Sequence, residues 1–300
     1  MANSFTTIDL SQLPAPGVVE SISFEDILAQ MVSDLKAREP SFSALVESDP
    51  AYKVLEVAAY RETLLRQRVN DAARAVMLAF ATGSDLDQIG ANYNVQRLVL
   101  DPGNPTALPP VPPTYESDEE FRARIPLSLE GYTTAGSEGS YVFHGMSADG
   151  DVKDIQAVSP TPGQVTVYVL SRTGSGTAGM PLLSTVAAAL NDDQVRPITD
   201  QVTVQSASIV TYTVTAELVL YPGPDSSVIL AAAQTALQAY VNSVHRIGYD
   251  VSLSGIYEAL HRPGVQRVNL TLPAANISVG TGQASYCTAI NLTVATSTNV

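Results

Sequence analysis

The sequence predicts an α+β multidomain protein: an N-terminal long-helix bundle segment, a proline-rich linker, and then two mixed α/β modules. Three observations support this class. Apolar residues recur with helical spacing over residues 50–82, six prolines fall within residues 101–115, and strand-like alternation begins only beyond residue 136. We therefore divide the chain into four segments, which are 1–95, 96–135, 136–207 and 208–300.

The first segment is expected to contain three helices. Ser23 has the position of an N-cap for a helix with one apolar face. Asp49 and Pro50 mark the start of a second helix, and no strong breaker follows until Gly83. About 30 residues at 1.5 Å each give a length of roughly 45 Å, which is typical of a helical bundle. A short third helix is predicted from Ser84 onward.

The apolar face of the second helix is too long for two short neighbouring helices to bury, and an uncovered stripe needs another helix to pack on it. The same helix carries five basic residues, which are Lys53, Arg61, Arg66, Arg68 and Arg74. They form either an ordinary solvated face or a cationic strip that selects acidic helices of a partner. The predicted partner interface consists of Leu64, Leu65, Arg68, Val69, Ala72, Val76, Leu86, Ile89 and Arg97.

Prolines dominate residues 101–115, and this composition favours extended polyproline geometry that cannot pair into a sheet. We therefore predict a semi-rigid linker in this part of the chain. After it, Ser117 and Glu120 have the spacing of a capping box, which predicts a short helix that Pro126 breaks.

Helix and strand patterns alternate from residue 136 onward. The predicted helices are 137–146, 181–191, 225–244 and 253–261, and the predicted strands are 151–158, 164–170, 201–205, 209–220, 265–272 and 288–295. The order helix, strand, proline-containing turn, strand occurs both at 138–170 and at 253–294. This repeated order suggests two modules related by duplication.

The composition limits the classes of partner. Only 15% of the residues are charged, where about 25% is typical, so the surface is rich in uncharged groups that suit burial against other proteins. A net charge of −14 disfavours nucleic acid and anionic membrane surfaces as partners. The N-terminus lacks a signal-peptide pattern and no apolar run reaches about 18 residues, so we expect synthesis in a cytoplasm and no membrane span.

A glycine-rich loop, Gly174-x-Gly176-x-x-Gly179, has the spacing of a dinucleotide-binding fingerprint. Three features argue against that function. No acidic residue stands at the end of the next strand, 201–205, to hold a ribose. The preceding strands resemble a hairpin rather than part of a parallel β-α-β unit, and Pro181 removes an N–H donor from the helix start. We therefore expect no nucleotide or other cofactor.

No other residues form a recognisable reaction centre. The carboxylates of Asp149, Asp151 and Asp154 lack the spacing of a calcium loop, and the three histidines are far apart without a metal-ligand companion. The chain also lacks a G-x-S-x-G nucleophile elbow. We expect no catalytic site, no metal site and no small-molecule substrate, and hence no enzyme.

Several stretches of the chain follow one another in a recognisable order. ATGSDLDQIGANYNVQR at 81–97 resembles the G-x-x-LD-x-(I/L)-G…V-x-R segment of the phage baseplate protein J family, and ESDEEFRARI at 116–125 is similar to its E-x-D-x-x-x-R-x-R segment. The resemblance continues in family order through TTAGS (133–137), the strand pair around Pro162-Gly163, and HRPGVQRVNL (261–270). No single motif is very specific, but their order and spacing together are.

The resemblance implies a structural protein of the virion, a wedge component of a contractile-tail baseplate that is assembled in the host cytoplasm. It implies that two copies of the chain pair with a smaller baseplate wedge protein through a helical bundle. It further implies that a lysozyme-like inner baseplate wedge protein clasps the bundle, and that the C-terminal modules join neighbouring wedges into a ring.

Two other functions stay open at this point. A small-molecule enzyme that uses the Gly174 loop would purify with a bound cofactor. A surface binder, such as an adhesin on a fibre, would usually show β-rich repeats and trimer-forming heptads, and neither pattern occurs in the sequence.

Overall fold

The computed structural model describes residue 10 and residues 13–14, 16–133, 136–222 and 225–295. The N-terminal residues, which lack a signal-peptide pattern, lie largely outside the described residues. Two positions of the TTAGS stretch, 134 and 135, also lie outside them. The chain forms two compact units. The helical unit contains residues 7–97 and 117–125, and the sheet unit contains residues 98–116 and the chain from residue 126 onward. The α+β multidomain class is confirmed.

Among the described residues, four α-helices belong wholly or partly to the helical unit. They are α1 (Phe24–Arg38), α2 (Pro50–Ala75), α3 (Gly83–Asn92) and α4 (Asp118–Leu127). The predicted cap of α1 is confirmed, because the Ser23 hydroxyl accepts a hydrogen bond from the Asp26 N–H at 3.2 Å. The predicted capping box of α4 is confirmed as well, because Ser117 and Glu120 each accept a bond from the other's backbone N–H.

The second helix ends at Ala75, so the prediction that it continues to Gly83 is wrong. Its 26 residues give a length of about 39 Å. Beyond it the chain turns, and the Arg122 guanidinium donates hydrogen bonds to the carbonyl oxygens of Leu78 at 2.8 Å and Ala81 at 2.5 Å. A side chain distant in sequence thus satisfies carbonyl groups that a longer helix would have paired internally.

The proline-rich segment forms a hairpin, so the prediction that it cannot pair into a sheet is wrong. Strand β1 (Val99–Asp101) pairs antiparallel with β2 (Thr114–Tyr115). Between them, Asn104 and Val111 exchange two backbone hydrogen bonds, of 2.8 and 2.9 Å. Pairing is possible because the residues that donate these bonds are not prolines, and the six prolines occupy the intervening positions.

The first module of the sheet unit contains α5 (Glu138–Met146), β3 (Val152–Thr161), β4 (Gln164–Ser171), α6 (Met180–Leu190) and β5 (Gln201–Ser206). The strand order is β3-β4-β5, with β3 antiparallel and β5 parallel to β4. Both helices cover one face of this sheet, where Ile155, Val167, Val186 and Leu190 form a buried core.

The second module contains β6 (Ser208–Leu220), α7 (Ser226–Val244), α8 (Leu253–Leu260), β7 (Val265–Leu272) and β8 (Gln283–Val294). Strand β6 lies in the centre, antiparallel to β7 and parallel to β8. The repeated order that suggested duplication does not give the same sheet, because β3 and β4 are neighbours whereas β6 separates β7 from β8. Within the described ranges, no helix is both long and apolar enough to cross a membrane.

Buried polar contacts join the two modules. The Asp154 carboxylate accepts a hydrogen bond from the Ile247 N–H at 2.8 Å, and the Gln156 side-chain carbonyl accepts one from the Gly282 N–H at 2.8 Å. Burial raises the pKa of Asp154. Both modules also contribute to one buried apolar cluster, which consists of Leu170, Ala207, Ile247 and Ala284. Because side chains of the first module satisfy backbone N–H groups of the second, we infer that the two modules unfold together.

Replacing Gln156 with Ala should destabilise both modules together. The change leaves the Gly282 N–H buried without its acceptor, which costs about 1–3 kcal/mol. Chemical denaturation followed by circular dichroism measures this change. Gln164→Ala, at an exposed position of β4, is the matched control and should leave the unfolding midpoint nearly unchanged. An unaltered midpoint in Gln156→Ala would show that the junction contributes little.

Candidate assembly surface

An exposed apolar stripe runs along α2. It contains Leu65, which is 68% exposed, and further exposed apolar residues on the same side, which are Val54, Val57, Val69, Ala72 and, just after the helix ends, Val76. Most neighbours in this set are three or four positions apart, but Val57 and Leu65 are eight apart and Arg61 lies between them. Residues at this spacing share one side of a helix. Leu64 is also exposed and lies at the margin of the same side. We call this set the α2 stripe.

Another side of α2 is covered by α1. Ala59 is fully buried there against Ile27 and Leu28 of α1, with Leu55 and Tyr52 packed around them. Since α1 has 15 residues and α2 has 26, the shorter helix covers only part of the longer one. The α2 stripe therefore faces away from the apolar core that α1 provides.

A strap of chain before α1 is bound to the second half of α2, which the sequence did not predict. The Asn70 side chain accepts a bond from the Glu20 N–H at 3.0 Å and donates one to the Glu20 carbonyl at 2.9 Å. Arg66 pairs with the carboxylates of Glu20 and Glu62 at 3.1 and 2.6 Å. An asparagine inside a long helix disfavours the helix and was the available signal for such a contact.

The basic residues of α2 fall into two groups. Lys53 pairs with Glu56, and Arg66 pairs as described above, so these two have acidic partners within the chain. Arg61, Arg68 and Arg74 are exposed, and within the described residues no acidic partner is found for any of them. Arg61 and Arg68 are three or four positions from stripe residues and therefore lie on the same side of the helix as the stripe. This side of α2 therefore combines exposed apolar side chains with positive charge, on a chain whose net charge is −14.

The predicted interface also includes residues that the structure places inside the helical unit. Leu86 is fully buried and Ile89 is half-buried, both on α3. Arg97 has a largely buried side chain that pairs with Asp87 and Asp118, both at 2.8 Å. These three side chains serve packing within the chain, so we leave them out of the proposed assembly surface.

The same contacts explain the two motifs that carry the family resemblance. The Arg97 guanidinium lies 4.8 Å from the centre of the Phe121 ring, and Phe121 is fully buried. A side chain at Gly90 would overlap that ring, so glycine lets α3 approach α4 closely. The Gly83 N–H and the Arg97 guanidinium, in that order of strength, lower the pKa of Asp118 despite its partial burial. The motifs therefore build the contact between α3 and α4 inside the helical unit.

The glycine-rich loop lies in a parallel β-α-β unit formed by β4, α6 and β5, so our argument from hairpin topology is wrong. Its glycines have packing and conformational roles. Gly176 has a φ of +96°, and a side chain there would lie 2.5 Å from Leu170 and 3.1 Å from His245. Gly174 has a φ of +62° and open space around it.

Other candidate chemical groups have structural partners. Asp149 accepts a bond from the Asp151 N–H at 2.8 Å, and Asp154 belongs to the junction between modules. His245 hydrogen bonds with the Ser285 carbonyl. Burial raises the pKa of the Cys287 thiol, which disfavours the reactive thiolate. Among the described residues, no group of three or more His, Cys, Asp or Glu side chains could hold a metal ion.

The fold and this surface define an α+β protein with a long helix that exposes an apolar face. Comparison with known proteins identifies the family. Residues 47–104 match the Baseplate J-like N-terminal domain, residues 133–206 the Baseplate J-like central domain, and residues 212–293 the Baseplate J-like protein C-terminal domain. Baseplate protein J of Escherichia phage P2 is 52% identical over 288 residues, which cover 94% of this chain and 95% of that protein.

The chain belongs to the Baseplate J-like family. It is a structural component of a phage tail baseplate in the virion, and it is not an enzyme. This assignment decides against both the nucleotide-dependent enzyme and the fibre adhesin. A cryo-EM structure of the anti-feeding prophage baseplate contains a similar chain, with a TM-score of 0.43 and 17% identity. The match covers 61% of this chain and less than half, 44%, of that one.

Replacing Asp118 with Asn should destabilise the helical unit near neutral pH. The pKa of Asp118 is lowered in the folded state, so its contribution is present above the unfolded-state pKa of about 4 and is lost as the pH falls through the folded-state value. Denaturation at pH 7 and at pH 3 should show a difference from wild type that shrinks in acid. Glu119→Gln, an exposed neighbour that loses the same charge, should show little difference at either pH.

Alanine at Gly176 should be more damaging than alanine at Gly174. Both positions have positive φ, which costs an L-residue about 1–2 kcal/mol, but only Gly176 also meets Leu170 and His245, adding about 1–3 kcal/mol. Thermal unfolding of the two variants compares these costs directly. Equal destabilisation would show that the loop shifts easily and that packing at Gly176 is unimportant.

Proposed function

We propose that this chain is a wedge component of a contractile-tail baseplate, and that the α2 stripe forms a helical bundle with a smaller wedge protein. The observation that carries the proposal is the exposure of apolar side chains along most of a helix about 39 Å long. Contiguous exposed apolar surface of this kind marks protein–protein interaction sites.

The charges beside the stripe indicate the character of the partner. Arg61 and Arg68 lie among the apolar residues on this side of the helix. The acidic residues Glu56 and Glu62 of the same helix already pair within the chain. A partner helix with an apolar face and acidic flanks would neutralise these arginines and set the register of the bundle. The low charged fraction of the whole chain suits surfaces that become buried in an assembly.

The two compact units support a division of roles within the wedge. In this proposal the helical unit of each of two copies enters the bundle, and a lysozyme-like inner baseplate wedge protein clasps it. The sheet unit of each copy contacts neighbouring wedges and closes the ring. We propose that these steps take place in the host cytoplasm, before the finished tail is released as part of the virion.

Leu65→Asp should abolish copurification with the smaller wedge protein of the same phage. Losing a buried leucine costs about 1.5–3 kcal/mol and a buried carboxylate adds more, so binding should weaken at least about 100-fold. Coexpression followed by pull-down measures the loss. Val228→Asp on α7 is the matched control, because Val228 is 66% exposed and Leu65 is 68% exposed.

Circular dichroism of Leu65→Asp distinguishes the two explanations of a loss. Retained helix content with lost copurification would support the α2 stripe as the interface, and general unfolding would instead place Leu65 in the chain's own core. Copurification of Leu65→Asp at the wild-type yield would show that the smaller wedge protein binds elsewhere.

A further inference from the structure

Strand β5 forms an open edge of the first module's sheet. The N–H groups of Gln201 and Ala207 donate toward the β4 side, to the carbonyls of Gly163 at 2.7 Å and Val169 at 2.9 Å. Backbone groups alternate in direction along a strand. The N–H and C=O groups of Val202 and Val204 therefore point away from β4, and within the described ranges they have no hydrogen-bond partner.

This edge has none of the features that usually protect one. Strand β5 contains no charged residue and no proline, and its register with β4 is regular from Gln201 to Ser206, without a bulge. Natural proteins normally block such an edge with charge, proline or a bulge, since it can pair with another chain. An unprotected edge on an assembly protein indicates that a strand from another chain covers it.

The sequence of the strand reads the same in both directions. Residues 201–205 are Gln-Val-Thr-Val-Gln, so the central Thr203 has a valine and then a glutamine on either side. If two copies pair antiparallel about Thr203, glutamine lies opposite glutamine, valine opposite valine, and threonine opposite threonine. Thr–Thr is a favourable cross-strand pair, valine packs well on a pleated surface, and no like charges are opposed.

The direction of the backbone hydrogen-bonding groups along β5 also fits an antiparallel pairing centred on Thr203. In an antiparallel pair, opposite residues must both direct their backbone groups toward the partner or both away from it. With Thr203 at the centre, Val202 lies opposite Val204, and both residues direct their backbone groups outward. Each Val202–Val204 pair can then exchange two hydrogen bonds, and Thr203 falls at a non-hydrogen-bonded position.

We propose that β5 pairs antiparallel with β5 of a second copy of this chain, on a two-fold axis through Thr203, to join two three-stranded sheets into one. The side chains of Val202 and Val204 are half-buried against the module core, and this pairing extends that core across the two copies. A two-fold contact of one surface with itself is the commonest form of homodimer interface.

Exposed apolar residues at the two ends of the strand agree with an antiparallel contact. Ile198, three residues before β5, is 99% exposed. At the other end, Ser206 accepts a hydrogen bond from the Ala178 N–H, two residues before the exposed Met180. Antiparallel pairing brings the first end of one strand to the second end of the other, so Ile198 approaches the part of the partner where Met180 lies.

Disulfide crosslinking tests the register directly. In a background with Cys287→Ser, a single Thr203→Cys substitution should give a covalent dimer under mild oxidation. A non-hydrogen-bonded pair has Cα atoms about 4.5 Å apart, within the disulfide range of about 4.4–6.8 Å. Crosslinking is measured on the purified full chain and on assembled tails that contain the variant.

Two matched variants show whether the register is specific. Gln201→Cys alone should not crosslink, because equivalent residues would be about 13 Å apart along the strands. A mixture of Gln201→Cys and Gln205→Cys should crosslink, since these positions lie opposite each other. The proposal is overturned if Thr203→Cys gives no more dimer than Gln201→Cys in either preparation, which would leave the edge to another baseplate protein.

This inference rests on the proposed pairing of two copies within a baseplate, but its test is independent of the helical bundle. A Thr203→Cys dimer that still forms when Leu65→Asp abolishes binding of the smaller wedge protein would separate the two interfaces. Failure of the crosslink with normal copurification would overturn the β5 pairing and leave the proposed function intact.

Discussion

The Arg97 guanidinium holds together the two chain segments from which the helical unit is built. It pairs with Asp87 of α3 and Asp118 of α4 and lies over the Phe121 ring. These segments are separated in sequence by residues 98–116, which belong to the sheet unit. Neither segment alone could bury Phe121, so the core of the helical unit forms only when residues 117–125 pack against the preceding helices.

The structure is consistent with an assembly protein whose stability and interaction surfaces are separate. The sheet unit is stabilised by buried contacts across its two modules, including the bonds that Asp154 and Gln156 accept from backbone N–H groups. The surfaces that remain exposed, the α2 stripe and the edge of β5, are apolar or uncharged in places where a monomeric protein would carry charge. Surfaces of this kind are typical of sites where a partner protein binds.

Local sequence signals predicted most elements because those signals act within a few residues. The hydroxyl at Ser23, the carboxylate at Asp225 and the capping box at Ser117 each start a helix where the sequence indicated. Alternating apolar residues likewise marked the long central strand β6. The predicted end of α2 was wrong because the chain turns after Ala75, and Arg122, more than forty positions away, donates hydrogen bonds to the carbonyls of Leu78 and Ala81 in that turn. The proline-rich hairpin was missed because the number of prolines does not show which of the remaining residues lie opposite each other and pair.

The sequence by itself determined the α+β class, where the helices begin to within a few residues, the lack of a ribose-binding acid beside the glycine loop, and the family motifs. Each of these depends on residue type and short spacing. Only the tertiary structure decided that Leu86 and Arg97 serve the interior, that α1 covers one side of α2, and that β5 is an edge strand. These properties depend on which distant segments pack together. Side-chain spacing predicts that a face is apolar, but only the positions of the neighbouring elements decide whether it is covered.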